Sequence, residues 1–161
     1  MSKKNGVPDR NFEFVEQHSW RKGEGKIVLE TGAIGACTGI ATFSRATKTG
    51  HLLHEPLVES TGDLDNFFKS VVESAGDPKK IKVWVRGAAF DSNANDYDYH
   101  YNEHVEAARQ LVEEKIAELG LAKKQIDIEW AGEDESIDMS IDCHNGKFSE
   151  ETTTYTVEED F

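Results

Sequence analysis

Strand-like segments surround a stretch of small residues near the start of the chain. "KIVLETG" is a short apolar run that ends at Gly32, and "GIATFS" alternates apolar and polar positions after Cys37. "GHLLHEPLVES" follows as a further extended piece, in which Pro56 limits pairing in a sheet. Cys37 is therefore expected where two strands meet. Residues 1–24 are charged and show no sustained periodicity, so we expect an N-terminal arm there, with order beginning near Lys26.

Two segments have the period of an α-helix. The first covers residues 61–75, with Thr61 or Asp63 available as a cap. Its predicted apolar face consists of Leu64, Phe67, Phe68, Val71 and Val72. The second runs from Asn102, as N-cap, to Gly120, with its arginines and lysines expected to face water.

The remaining segments are strand-like and complete a mixed order of elements. A central strand is predicted over residues 82–90, and "QIDIEWAG", "SIDMSID" and "TTTYTVEE" alternate in strand fashion near the C-terminus. Asn145 and Gly146 indicate a tight turn before the last strand, and residues 149–161 form a terminal strand and an acidic tail. The order of strands, helix, strand, helix and strands indicates an α/β fold in a single domain over residues 1–161.

Charge and composition exclude several classes of function. The 161 residues include 18 Lys and Arg against 31 Asp and Glu, giving a formal net charge of -13. Such a chain repels phosphate backbones, so we expect no nucleic acid partner. The apolar runs are far shorter than the ~18 residues of a membrane span, so we expect no membrane insertion and a cytoplasmic location. Cys37 and Cys143 are then expected as free thiols.

Cys37 is the first candidate for chemistry. A thiol attacks as the thiolate, with an ordinary pKa near ~8.5, so it needs an imidazole or backbone amides nearby. The glycines and alanines of "GAIGACTG" let a substrate approach the backbone, and we expect the Ala36 and Cys37 amides to donate to an oxyanion. The plainer alternative is that Cys37 packs as a small apolar side chain.

A resemblance adds to this interpretation. Thr31, Cys37 and His54, in "TGAIGAC" and "GHLLH", resemble the Thr, Gly-Ser-Cys and Gly-x-x-x-His pattern of the CheD family, the chemoreceptor glutamine deamidases. "TGDLDNFFKSVV", "KVWVRGAAF", "NEHVEAARQLVEEKI" and "IDMSIDCHNGKF" resemble, in order, the family's next helix, strand, long helix and closing hairpin. The resemblance thus extends from about Lys26 to Phe148.

The resemblance implies a fold and an activity. The fold would be a three-layer α/β/β sandwich, a cysteine hydrolase fold shared with the cytotoxic necrotizing factor toxins. Cys37 would be the nucleophile, His54 its base and Thr31 the residue that orients the imidazole through its hydroxyl or main-chain carbonyl. The activity would be deamidation of protein glutamine to glutamate in chemotaxis, without a cofactor or metal. The implied partners are a chemoreceptor cytoplasmic helix as substrate and a regulatory protein.

Departures from the family pattern leave the triad intact. Ala36 stands in place of the serine before the cysteine, Ala88 in place of a glycine, and no Gly-Arg occurs around Glu133 to Ser136. We therefore expect the triad chemistry with altered receptor docking. The alternative from another class is a catalytically inactive CheD-like interaction module, whose acidic surface meets a basic partner.

The remaining histidines have other interpretations. His51 lies three residues from His54, so in a strand the two point to opposite faces, and we place His51 at the surface. His100 and His104 have the i,i+4 spacing of metal ligands and neighbour Asp96 and Asp98, although a polar loop entering a helix explains them as well.

Two further features are assigned structural roles. Cys143-His144 is expected in an exposed hairpin turn rather than a second site. Trp20, Trp84 and Trp130 are expected as core or near-core anchors.

Overall fold

The computed structural model describes residues 9–56, 62–94 and 100–154. These residues form nine strands and two α-helices. The N-terminal strands are β1 (Asn11–Phe14), β2 (Ser19–Glu24), β3 (Ile27–Ile34), β4 (Thr38–Ser44) and β5 (Thr49–Glu55). Helix α1 (Gly62–Ser74), strand β6 (Ile81–Gly87), helix α2 (Tyr101–Glu118) and strands β7 (Ile126–Trp130), β8 (Glu135–Asp142) and β9 (Phe148–Thr154) follow. The predicted order of elements is confirmed.

The strands form two sheets. The small sheet has the order β1-β3-β8-β9, and the large sheet has the order β2-β5-β4-β6-β7. Both helices connect strands of the large sheet, and α2 joins β6 to the parallel neighbour β7. A connection between parallel strands needs a crossover, which places its helix on one face of the sheet.

Two apolar layers separate the helices and sheets. One joins side chains of α1 and α2 to one face of the large sheet, including Phe67, Val112, Ile40 and Val83. The other joins the opposite face of the large sheet to the small sheet, and we call it the inter-sheet layer. The mixed α/β class is therefore confirmed, with helices, large sheet and small sheet in three layers.

The prediction of an N-terminal arm is wrong for residues 9–24, and residues 1–8 lie outside the described residues. Residues 11–14 pair with β3 as strand β1, and residues 19–24 pair with β5 as strand β2. Both strands lie at a sheet edge, where one side of the strand faces away from the core and polar residues are tolerated. The alternation that marks a strand in sequence is therefore weak in both.

The helices begin and pack somewhat differently from the prediction. Val72 is 49% exposed, whereas the other four predicted face residues of α1 are buried. Asn102 lies inside the first turn of α2, where its side chain bonds to the backbone of Asp91, and His100 holds the N-cap position. Thr61 lies outside the described residues. Arg109 of α2 does not face water, since it donates to the Ala88 carbonyl oxygen.

Strand β3 contains a β-bulge between Thr31 and Ile34. Thr31 pairs with Met139 and Ile34 with Ile137, so β3 has one more residue than β8 between these pairs. Ala33 takes a positive φ of 56° at this point, and the Asp138 carboxylate accepts its N–H at 2.9 Å. Because of the extra residue, Thr31 and Ile34 are both buried despite their odd spacing.

Candidate active site

Thr31 and His54 meet between the two sheets. Thr31 lies on β3 of the small sheet and His54 on β5 of the large sheet, and both are buried. The Thr31 Oγ1 atom lies 2.8 Å from His54 Nδ1, and the Thr31 hydroxyl donates to the Val15 carbonyl oxygen at 2.6 Å. The hydroxyl, rather than the main-chain carbonyl of Thr31, orients the imidazole.

These two bonds determine the tautomer of His54. A threonine hydroxyl has a single proton, and that proton is used on the Val15 carbonyl. The oxygen must then accept from His54, so Nδ1 carries the ring proton. Burial lowers the pKa of His54, and the nearby charge of His18 lowers it further, so the ring is neutral. Its Nε2 atom is a buried acceptor without a hydrogen-bond partner in the described chain.

Cys37 lies on the same side of the large sheet as His54. Gly39 is the register partner of His54, and directly opposed residues of two antiparallel strands point to one face. Cys37 lies in the bend just before β4, and it packs against the inter-sheet layer between the two sheets. The strands thus bring the thiol and the imidazole to the same face and the same end of the β4–β5 pair.

The predicted hydrogen bond between Cys37 and His54 is absent from the described structure. The Cys37 Sγ atom instead accepts from Gln17 Nε2 at 3.4 Å. Burial raises the pKa of the Cys37 thiol to about 11, the Gln17 bond lowers it, and the charge of Glu55 raises it further. The thiol and the imidazole are therefore both neutral near pH 7.

The turn after β6 holds the Cys37 segment in place. The amides of Ala88 and Ala89 donate to the carbonyl oxygens of Cys37 and Gly35, at 2.7 and 2.9 Å. Ala88 has a positive φ of 50°, and its own carbonyl accepts twice from Arg109. Among the hydrogen bonds of the described residues, none uses the amides of Ala36 or Cys37. These are the two amides that the sequence analysis expects to donate hydrogen bonds to an oxyanion.

A second pair of buried polar groups lies on the helix side of the same strand ends. Thr38 and Glu55 are register partners, and Thr38 Oγ1 and Glu55 Oε1 have no hydrogen-bond partner among the described residues. Burial raises the pKa of Glu55 to about 7, and the charge of Asp63 and a hydrogen bond to it add to the increase. Nothing in the sequence pattern pointed to this carboxyl group.

His51 points away from His54, as the three-residue spacing predicts, but it is not at the surface. It is 1% exposed, its Nε2 atom lies 2.8 Å from Ser70 Oγ, and its ring packs against Trp20 and Phe67. Burial lowers its pKa to about 4. The exposed placement was wrong because α1 covers this face of the large sheet.

The other cysteine and the candidate metal-binding histidines do not belong to this site. Cys143 lies in the predicted turn but is fully buried, because Gly23 and Gly50 leave room for its sulfur, so only its predicted exposure was wrong. His100 is bonded to Glu103 at 3.1 Å. No group of three metal-ligating side chains occurs in residues 9–56, 62–94 and 100–154, and Asp96 and Asp98 lie outside them.

Trp20, Trp84 and Trp130 are partly buried against the two apolar layers, as predicted.

Within the described part of the chain, no helix combines the length and the apolar character that a membrane crossing requires.

A surface cavity of about 460 Å³ lies near β3 without reaching the thiol. Its lining includes Phe14, Glu30, Asp138 and Glu151 but neither Cys37 nor His54. Cys37 is itself half-buried rather than enclosed. Of Thr31, Cys37 and His54, only Thr31 lines this cavity.

Comparisons with known proteins concern the fold alone. No protein-family model and no curated protein sequence matches the chain. Among solved structures, it is similar to the hypothetical protein YfiH of Bacillus licheniformis, with 12% identity, a TM-score of 0.45 and coverage of 68% of this chain and 49% of that one. It is also similar to the Neisseria meningitidis protein NMB0706, described as DUF152, with 10% identity, a TM-score of 0.42 and coverage of 76% and 63%. The chain thus spans less than two thirds of either protein.

Proposed function

We propose that the protein is a cysteine amidohydrolase of the CheD type, which deamidates glutamine side chains of a protein substrate to glutamate. The observation that carries the proposal is the hydrogen bond between Thr31 and His54. It fixes the tautomer that leaves Nε2 as a proton acceptor, on the sheet face that also carries Cys37. A buried imidazole nitrogen without a partner is costly, which favours a functional reason for it.

The chemistry begins from neutral groups. As Sγ of Cys37 attacks the carboxamide carbon, its proton passes to Nε2 of His54. The negative charge then moves to the former carbonyl oxygen, where the Ala36 and Cys37 amides donate. Imidazolium at His54 gives its proton to the leaving nitrogen, and ammonia departs. Water, deprotonated by His54, hydrolyses the thioester to glutamate and restores the thiol.

The raised pKa of Cys37 selects this general-base route. A preformed thiolate and imidazolium pair would require the pKa of the thiol to lie below its ordinary value, whereas burial raises it to about 11. Proton transfer therefore accompanies attack. Cys37 is only partly buried and lines none of the cavities described, which suits a side chain presented by another protein more than a small molecule enclosed in a pocket.

Ammonia release tests the proposal. The substrates are glutamine within a helical peptide, glutamine within an unfolded peptide and free glutamine, and mass spectrometry identifies glutamate in the peptide products. The wild-type protein should release ammonia from a peptide, and Cys37→Ala should release none with its circular dichroism unchanged. Cys143→Ala is the matched control, because it removes the other thiol. Ammonia release by Cys37→Ala equal to that of the wild type would refute the role of Cys37 as the nucleophile.

The second candidate is a CheD-like interaction module without catalysis. It is favoured by the lack of a Cys37–His54 hydrogen bond and by the raised pKa of the thiol. In that case Cys37 shows the ordinary, slow alkylation of an unactivated thiol at neutral pH, and no substrate above yields ammonia. A basic partner would then bind wild-type protein and Cys37→Ala with equal affinity.

A further inference from the structure

The segment from Val15 to His18 touches every member of the proposed triad. The Val15 carbonyl accepts from the Thr31 hydroxyl at 2.6 Å, and the His18 amide donates to the His54 carbonyl oxygen at 2.8 Å. Between them, the Gln17 side chain donates to Cys37 Sγ at 3.4 Å. The sequence places this segment in the predicted N-terminal arm and indicates no role for it at the site.

Both ends of the segment are fixed. Val15 is fully buried, and its amide donates to the main-chain carbonyl oxygen of Glu30 at 2.7 Å. His18 has a positive φ of 70°, a conformation that only surrounding contacts maintain in a residue other than glycine. The backbone at Gln17 is thus held on both sides, although the side chain itself is exposed. A donor held in place before reaction is what stabilises developing charge most effectively.

We propose that Gln17 is a further catalytic residue, whose side-chain amide stabilises negative charge at the Cys37 site. The role rests on the proposed deamidation and deepens it. The amide first donates to sulfur as the thiol loses its proton. After attack, the oxyanion is on the carbon bonded to that sulfur, so a donor beside Sγ can come within about 3 Å of it.

The direction of the contact argues against Gln17 as an internal substrate. The Gln17 Nε2 atom lies 3.4 Å from Sγ as a hydrogen-bond donor, so the amide meets the thiol through its nitrogen. Attack on a carboxamide requires sulfur above the face of the carbonyl carbon. The observed geometry is that of a donor.

The test replaces Gln17 by methionine, which keeps the length and bulk of the side chain and removes its donor. Iodoacetamide alkylation of Cys37 should slow about tenfold at pH 8 in Gln17→Met. With a glutaminyl peptide, kcat should fall about 100-fold, with KM within about twofold of wild type. Gln110→Met, at an exposed position of α2, is the matched control and should leave both rates unchanged. Equal thermal unfolding of the variants excludes loss of the fold.

The outcomes separate this inference from the proposed function. Wild-type rates of alkylation and turnover in Gln17→Met overturn the donor role while the deamidase stands. Faster alkylation in Gln17→Met also overturns it, since the amide would then be a shield. If the wild type releases no ammonia and Gln17→Met still slows alkylation, deamidation fails and the stabilisation of the thiolate by Gln17 stands.

Discussion

Gly87 lies against the backbone of Cys37, so closely that a Cβ atom at position 87 would be 2.5 Å from the Cys37 carbonyl oxygen. The same Cβ would be 2.5 Å from Ile34 Cγ2, and Gly87 has a φ of 95°. The close approach permits the bond from the Ala88 amide to the Cys37 carbonyl. Gly87 therefore fixes the backbone that carries the proposed nucleophile.

Gly87→Ala should destabilise the protein by more than about 2 kcal/mol, because it combines backbone strain with a clash against a rigid carbonyl. It should also slow Cys37 alkylation by displacing the thiol. Urea unfolding and alkylation rates measure the two effects. Gly35→Ala is the matched control, since a Cβ there meets nothing within 4 Å. Equal stability of the two variants would contradict the packing described for Gly87.

The hydroxyl of Thr31 is tested by Thr31→Val, which keeps the shape of the side chain. The change leaves the Val15 carbonyl and the Nδ1–H of His54 without their partner, and should cost about 2–4 kcal/mol in the free energy of unfolding. Nitrogen NMR of His54 should show that the Nδ1-protonated tautomer is no longer dominant.

Thr38→Val provides the control for Thr31→Val. Thr38 is equally buried, but its hydroxyl has no partner among the described residues, so its removal should leave stability unchanged or increased. A loss of stability in Thr38→Val equal to that in Thr31→Val would show that the Thr31 bonds contribute nothing specific.

Much of the fold could be predicted from sequence, and the failures have a physical pattern. The apolar period of α1 and α2 and the Asn145-Gly146 turn are local signals, and the structure contains all three. The short edge strands β1 and β2 lack such a signal, because long-range pairing with β3 and β5 holds them.

The candidate site shows the same division. The strand alternation that placed His51 and His54 on opposite faces is local, and both side chains follow it. The burial of His51 depends on α1 covering that face. Gln17 contacts Cys37 across 20 positions of the chain, and no period or motif encodes such a contact. Residues that reach a site from a distant edge strand are visible only in the folded structure.

Acid should destabilise the protein through His51. Burial lowers its folded-state pKa to about 4, whereas an unfolded chain takes up this proton near its ordinary value of 6.5. The unfolded state therefore binds more protons between these values, and stability falls as pH falls from 6.5 towards 4, by up to about 3 kcal/mol. His51→Gln stays neutral and should lose less stability between pH 7 and pH 4.5 in urea unfolding. An unchanged pH dependence in this variant would contradict the buried neutral ring.

Glu55 should give the opposite pH dependence of stability from His51. Its pKa rises from 4.5 to about 7 on folding, so the folded state binds more protons, and its contribution to stability is lost as pH rises through that window. Glu55→Gln removes the buried charge and should be more stable than wild type at pH 8, with a smaller difference at pH 5. Glu73→Gln, at an exposed position of α1, should show no such trend. If the stability of Glu55→Gln relative to wild type did not increase with pH, the raised pKa of a buried Glu55 carboxyl group would be refuted.

The most direct measurement of the central claim is the alkylation rate of Cys37 with and without His54, since it requires no knowledge of the substrate. Cys143 is fully buried, and Cys37→Ala measures any labelling of it. If His54 takes the proton of Cys37 during attack, His54→Ala should slow iodoacetamide alkylation at pH 7.5 by at least about tenfold, with the fold retained. An alkylation rate in His54→Ala equal to that of the wild type would show that the imidazole does not serve the thiol.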